Sequence, residues 1–207
     1  MQRPEWIARQ ARCPTGLAGK ILGRIMAVET IPENEKALQL LGLHSNSHVH
    51  DGGCGHGRTL ARAAALVPDG FVAGVDGSAA MVRMASRHNR DLIKDGRVEI
   101  TSTNSTHLPY PAHRFDSVLS VHTLYFWSNP DAHLREIHRI KKDGARFVLV
   151  CRSAADTQIT AQFPASIYRS YTPEEALALL TEADFQAATA EQHQVSSGNI
   201  LFLSGQK

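Results

Sequence analysis

The stretch Asp51-Gly52-Gly53-Cys54-Gly55-His56-Gly57 decides how the rest of the chain is read. It lies between a candidate strand, Ser47 to Asp51, and a helical pattern carrying Leu60, Ala61 and Ala64. Glycines at alternating positions let a backbone turn sharply and approach a ligand with no Cβ atom in the way. A pyrophosphate fingerprint of the G-x-G-x-x-G kind fails, because counting from Gly53 and Gly55 puts Arg58 where the third glycine belongs. A phosphate-cradling loop ending at Lys20 fails as well, with Pro14 in the place of its first glycine and Ile21 where a magnesium-binding hydroxyl is needed. An acid ahead of the glycines instead suits a ligand carrying positive charge at the turn, such as an α-ammonium group.

Outward from this loop, apolar runs alternate with helical patterns in the order that implies parallel strands joined by crossover helices. The expected strands are Ser47 to Asp51, Phe71 to Asp76, Arg97 to Thr101, Phe115 to Val121 and Arg146 to Cys151. The helix after Gly57 stops at Pro68-Asp69-Gly70, and Ser78 caps the next, whose Met81, Met84, Ala85 and His88 share a face. Asn129 and Pro130 open another, which buries Leu134, Ile137 and Ile140 and is expected to end in Lys141-Lys142-Asp143-Gly144. Thr172-Pro173-Glu174-Glu175 is a capping-box pattern. Beyond it, Phe185 to Val195 and Asn199 to Ser204 read as an antiparallel hairpin turning at Ser196-Ser197-Gly198.

The chain ahead of these elements is helical, with Leu17, Ile21 and Ile25 on one stripe and Gly16, Gly19 and Gly23 on another. Glycines cost helix stability, so such a stripe implies close approach to something, either a neighbouring backbone or a bound ligand. Two acids then stand at strand ends, Asp51 before the glycines and Asp76 nineteen positions after Gly57. The second is where a carboxylate in this architecture accepts ribose hydroxyls. A turn or capping role is the other reading of either acid alone.

These residues resemble the class I S-adenosylmethionine-dependent methyltransferases. The family's acid-x-Gly-x-Gly-x-Gly loop matches Asp51, Gly53, Gly55 and Gly57, and its ribose-binding acid matches Asp76, followed by Gly77, Ser78 and Met81. Asn104-Ser105-Thr106-His107-Leu108-Pro109-Tyr110 is similar to the family's adenine-contacting segment, with Asn104 in the place of the acid. Phe115-Asp116-Ser117-Val118, Leu134 to Ile140 and Lys142-Asp143-Gly144 match later segments, although a proline and a second glycine give way to Asp143 and Ala145. His50 and Gly52 depart from the apolar residues that flank the acid in the family. The resemblance implies a Rossmann-like seven-stranded sheet, mostly parallel with an antiparallel C-terminal hairpin strand and helices on both faces. It also implies a helical lid over residues 1–45 on a core of residues 46–207, S-adenosylmethionine as cofactor, and a small-molecule acceptor. The cofactor contacts it implies are Asp51, Gly53, Gly55, Gly57, Asp76, Gly77, Met81, Asn104, Ser105 and Ser120.

After the fourth strand come His122, Tyr125, Phe126 and Trp127. His122 is the candidate general base, since an unperturbed imidazole titrates near neutrality; packing or contact with the cofactor is the alternative. Tyr125 is the second candidate, and the aromatic run shapes either an acceptor pocket or core. His44, His48, His50 and His56 offer no third ligand at metal-site spacing, and Cys13, Cys54 and Cys151 fit neither a disulfide framework nor a C-x-x-C site. No metal is therefore expected.

With 207 residues, 43% hydrophobic and 20% charged, the chain reads as one globular domain. A net charge of +2 gives no general case for nucleic acid, and the base-methylation Asn-Pro-Pro-Tyr motif is absent, Ser120-Val121-His122-Thr123 standing instead. No apolar segment is long enough to span a membrane, and no secretory h-region is evident, so a cytoplasmic enzyme is expected. A noncatalytic cofactor-binding module and, on the strength of the basic N-terminal arm, a nucleic-acid methyltransferase are the rival readings.

Overall fold

The computed structural model describes residues 2–195 and 198–207. Three helices lead the chain: α1 (Glu5–Arg12), α2 (Gly16–Glu29) and α3 (Ile31–Leu41). Next come β1 (His48–Gly52), α4 (Arg58–Leu66), β2 (Phe71–Asp76), α5 (Ala79–His88), α6 (Arg90–Lys94), β3 (Val98–Ser102) and β4 (Phe115–Val121). A 3₁₀ turn (Leu124–Phe126) precedes α7 (Pro130–Ile140), β5 (Lys141–Arg152), α8 (Thr157–Thr160), α9 (Pro173–Glu182), β6 (Gln186–Val195) and β7 (Gly198–Gln206).

The strands form one sheet in the order β3-β2-β1-β4-β5-β7-β6. The first five run parallel, while β7 pairs antiparallel with both β5 and β6. The order reverses between β1 and β4, and ligands of such sheets bind in the crevice at that switch point, beyond the carboxyl ends of the strands. One face of the sheet packs Leu134, Ile137 and Ile140 of α7 with Ala176 and Leu180 of α9; the other packs Ala37, Leu38 and Leu41 of α3 with Leu60, Ala63 and Ala64 of α4. Both faces are therefore covered, and the central strands β1 and β4 are buried along most of their length.

The helix starts follow their caps. Ser78 accepts the N–H of Met81, Asn129 that of Ala132, and Thr172 and Glu175 exchange both bonds of a capping box. The end of α7 differs from the sequence expectation. The helix stops at Ile140, and Lys141-Lys142-Asp143-Gly144 form the start of β5, with Phe115 opposite Lys141 and a bulge before Ser117 meets Arg146. Two basic residues before a glycine resemble a helix end, but pairing with β4 takes them into the sheet. The hairpin is present; Ser196 and Ser197 of its expected turn lie outside the described residues.

Helix α3 belongs to the sheet's helical layer, and Arg146 Nη1 donates to the Leu40 carbonyl at 2.8 Å. Helices α1 and α2 give Ala11, Arg12, Gly23, Met26 and Ala27 to the lining of the crevice at the carboxyl ends of the strands, and α3 gives Asn34.

Candidate functional site

The glycine loop is tied to the neighbouring strand by its own backbone. Gly53 and Cys54 both donate N–H bonds to the Val75 carbonyl, at 2.8 and 2.9 Å, and Gly55 donates to Asp76 Oδ2 at 2.9 Å. Gly53 has φ 87°, and a Cβ there would collide with the Thr123 methyl, so only glycine fits. Gly57, at φ 82°, is needed for a different reason. A Cβ would stand 2.9 Å from the Ala85 Cα, so this glycine lets α4 start against α5. The dinucleotide frame assigns that packing role to a position Arg58 fills here; Gly57 supplies it one residue earlier.

Asp51 and Asp76 both line the crevice. Asp51 is buried, and desolvation, with Asp76 as a like charge nearby, pushes its carboxyl up to about 7. Burial also raises Asp76, against the opposing pull of the Ser78 and Gly55 N–H groups. Its Oδ1 accepts Ser78 N–H at 2.8 Å, so each oxygen has one lone pair engaged and another left for a ligand hydroxyl. A Cβ at Gly55 or at Gly77 would meet nothing within 4 Å, so beside both acids the backbone borders open space. Two acids facing a bare glycine turn fit the sugar and the cationic amino-acid end of S-adenosylmethionine.

The N-terminal segment is fastened above these acids at two points. Ser78 Oγ donates to the Pro14 carbonyl at 2.5 Å, and the Met81 side chain fills the gap left by Gly23, where a Cβ would come within 2.8 Å of its sulfur. Gly19 makes a second close approach, to Pro14 and Gln10. Gly19 and Gly23 thus pack inward, while Gly16 of the same stripe is exposed. The apolar stripe is the exposed face.

Opposite the loop, His122 has φ 59°, a left-handed backbone rarely adopted by a side-chain-bearing residue. Its Nδ1 lies 2.7 Å from the Tyr125 hydroxyl, which also accepts the Arg152 N–H at 2.6 Å. Nε2 is buried and finds no partner among the described residues. Two proton arrangements are conceivable. If Tyr125 donates to Nδ1, only the Nε2–H goes unmatched; if Nδ1 donates to the hydroxyl, both the phenolic proton and the Nε2 lone pair do. The first leaves fewer buried groups unsatisfied, so Nε2 carries the proton. Burial, reinforced by the Arg152 charge, holds the imidazole at about 3. The resting ring is a neutral hydrogen-bond donor, a poor starting point for a general base.

Of the residues expected at the site, Asp51, Gly53, Gly55, Gly57, Asp76, Gly77, Met81, Ser105 and His122 line the crevice together. Three do not. Tyr125 is buried behind His122 and reaches the crevice only through it. Ser120 spans the switch point, donating to the Gly52 carbonyl at 2.5 Å and meeting Thr123 Oγ1 at 2.6 Å. Asn104 is exposed, and its Oδ1 accepts the Thr106 N–H at 3.2 Å. Ser105 meets Nδ1 of His133, whose ring stacks on Trp127 at 4.7 Å. Phe126 and Trp127 line the crevice.

Sequence reasoning missed Arg12, Asn34, Arg58 and Thr59, which also line it. Thr59 donates to Asn34 Oδ1 at 2.9 Å, and Asn34 donates to the Thr30 carbonyl at 2.7 Å. These residues come from α1, α3 and the first two positions of α4, too far apart in the chain for a local signal to mark them as a set. His50, the departure beside the first acid, is wholly buried against Tyr110 and Phe115, neither ring nitrogen has a partner among the described residues, and burial lowers it to about 3. It occupies an apolar position as a neutral ring. Among the described residues no group of three or more His, Cys, Asp or Glu is placed to hold a metal, and no helix is long and apolar enough to cross a membrane.

This fold, shared with methyltransferases, sets paired acids around a glycine turn at the sheet's switch point. Residues 50–149, just under half of the chain, match the methyltransferase domain family. An uncharacterized methyltransferase, YdaC of Bacillus subtilis, is 27% identical over 87% of this chain and 91% of its own length. The demethylmenaquinone methyltransferase of Lactiplantibacillus plantarum is 34% identical over 59% of this chain, which spans about half, 52%, of that relative. Among solved structures, geranyl diphosphate C-methyltransferase from Streptomyces coelicolor, with S-adenosyl-L-homocysteine bound, shares the fold at a TM-score of 0.69 and 17% identity, over 84% of this chain and 78% of that one. These likenesses support reading the chain as a class I S-adenosylmethionine-dependent methyltransferase.

Proposed function

We propose that this methyltransferase acts on a small acceptor with an apolar or aromatic body and a hydrogen-bonding atom beside the methylated one. The observation that carries the reading is the pair Asp51 and Asp76, which flank the glycine turn at the sheet's switch point and face the aromatic wall of Phe126 and Trp127 across one crevice.

Bound there, S-adenosylmethionine supplies a methyl group already activated by its sulfonium. The chain has then to align, desolvate and, for some acceptors, take up a proton. Asp76 accepts the ribose hydroxyls through its remaining lone pairs. Asp51, ionised once a cation is beside it, faces the amino-acid end. Arg12 and Arg58 offer their charges to the carboxylate. Met81 and Ser105 border the adenine, while Gly53 and Gly55 bring the backbone close. Gly57, Gly77, Ser120 and Asn104 act by shaping these segments.

His122 donates from Nε2 to an acceptor heteroatom, and Tyr125 is the positioning residue that fixes its tautomer. Helices α1 and α2 cover the crevice as a lid and exclude water. The name of the L. plantarum relative, a demethylmenaquinone methyltransferase, supports an aromatic acceptor of this kind.

Release of S-adenosylhomocysteine in the presence of a panel of hydroxylated aromatic, quinol and prenyl compounds tests the reading. Turnover is expected with at least one class of apolar-bodied acceptor. Cofactor binding without product from any of them, alongside methylation of a nucleic acid or a protein, would overturn it.

A further inference from the structure

The inner face of α2 closes the crevice, whereas its outer face is apolar and uncovered. Leu17, Ile21, Ile25 and Val28 are 73%, 52%, 47% and 60% exposed. At 100° per residue these four fall within an arc of about 80°, so they form one continuous ridge along the helix. An apolar stripe on a surface helix normally faces the core; here Gly19 and Gly23 take the core side and the large residues are turned outward. Lys20 and Arg24 lie along one flank of the ridge, and the helix carries no acid before Glu29, its last residue, on the opposite flank. Over residues 2–28 the segment holds five Lys or Arg against one Glu.

We propose that this face of α2 docks the protein onto an anionic lipid bilayer. A helix of 14 residues is too short to span one, but an amphipathic helix with a cationic edge lies in the headgroup layer, its apolar ridge reaching the acyl boundary and its basic groups meeting lipid phosphates. A second copy of the chain fits the face less well. A two-fold contact along the ridge would bring Lys20 and Arg24 toward their own images with no acid on that side to pair them. The docked orientation leaves α2 between the bilayer and the crevice, which Met26 and Ala27 of the same helix line from its inner side. The proposal stands apart from the identity of the acceptor, because it is tested by membrane binding alone.

Flotation of the full chain with vesicles tests it. Co-flotation is expected with phosphatidylglycerol-containing vesicles, and binding at least tenfold weaker to pure phosphatidylcholine vesicles or in 0.5 M salt. The Ile21→Ser/Ile25→Ser variant should lose binding with its melting temperature kept, because both side chains are exposed in the free protein. The Lys20→Glu/Arg24→Glu variant should lose only the preference for anionic lipid and the salt dependence. Failure to float with either vesicle would overturn the proposal, as would undiminished binding by the serine variant. A dimer in light scattering that the serine substitutions convert to monomer, with no vesicle binding, would assign the face to a second copy instead.

Discussion

The Tyr125 hydroxyl and His122 Nδ1 are 2.7 Å apart, and because the same hydroxyl is anchored on the Arg152 N–H, one buried phenol decides which imidazole nitrogen carries a proton. Tyr125→Phe leaves the Arg152 N–H and Nδ1 without this partner. Thermal or denaturant unfolding should record a loss of about 1–3 kcal/mol, the cost of unsatisfied buried polar groups. Turnover should fall with cofactor affinity unchanged. A variant as stable and as active as the parent would show that the hydroxyl positions nothing.

The same geometry makes a statement about pH. With His122 held at about 3 by burial, turnover at saturating cofactor should show no limb from this residue between pH 5 and 8. An acid limb near 6.5 in the parent that disappears in His122→Gln would restore the general-base role expected from the sequence.

Asp51, raised to about 7, makes cofactor binding pH-dependent. A cation beside the carboxyl favours its ionised form, so binding releases a proton wherever Asp51 is protonated in the free protein. Affinity should therefore rise with pH, by up to about tenfold per unit below 7, and level off above it. Calorimetry in buffers of different ionisation enthalpy should detect the proton at pH 6 and much less of it at pH 8.5. Asp51→Asn should abolish the dependence; a parent whose affinity is flat from pH 5.5 to 8 would contradict the assignment of Asp51 to the cationic end.

His50 links the core to acid stability. Its ring titrates at about 3 in the fold against 6.5 in the unfolded chain, so the unfolded state binds more protons as pH falls below 6.5. The stabilising difference is complete above 6.5 and is lost on acidification toward 3. Between pH 6.5 and 5 the loss from this one site is about 2 kcal/mol. His50→Leu should remove that component, and denaturant melts at the two pH values measure it. An unaltered pH slope in the variant would mean that the ring is solvated after all.

The sheet could be read from the chain because each strand end carries its own punctuation. Asp51 and the glycines, Asp76 with Ser78, and Thr172 with Glu175 act through local backbone geometry, and local geometry is what a sequence records. Lys141 shows where this fails. A basic pair before Gly144 looks like a helix terminus, yet Lys141 is drawn into β5 opposite Phe115, and its ammonium lies 4.4 Å from the Phe185 ring centroid. The decisive partners are distant in sequence. The same holds within the crevice. Arg12, Asn34 and Thr59 converge only through the packing of α1, α3 and α4, and the neutrality of His122 comes from a burial that residue type does not reveal. On α2 the pattern recorded two stripes but not which one faces in, because the glycines win the inner side through Met81 and Pro14.

The claim beneath all of this is that Asp76 holds the sugar of S-adenosylmethionine, and calorimetric titration of that cofactor into the parent and into Asp76→Asn tests it most directly. The amide keeps the acceptor for one of the two backbone N–H bonds and lets the variant fold, which a melting curve verifies. One-to-one binding by the parent is predicted, weakened by about 1–3 kcal/mol, roughly fivefold to 150-fold, in the variant. No binding to the parent, or equal affinity for the two proteins, would contradict the account.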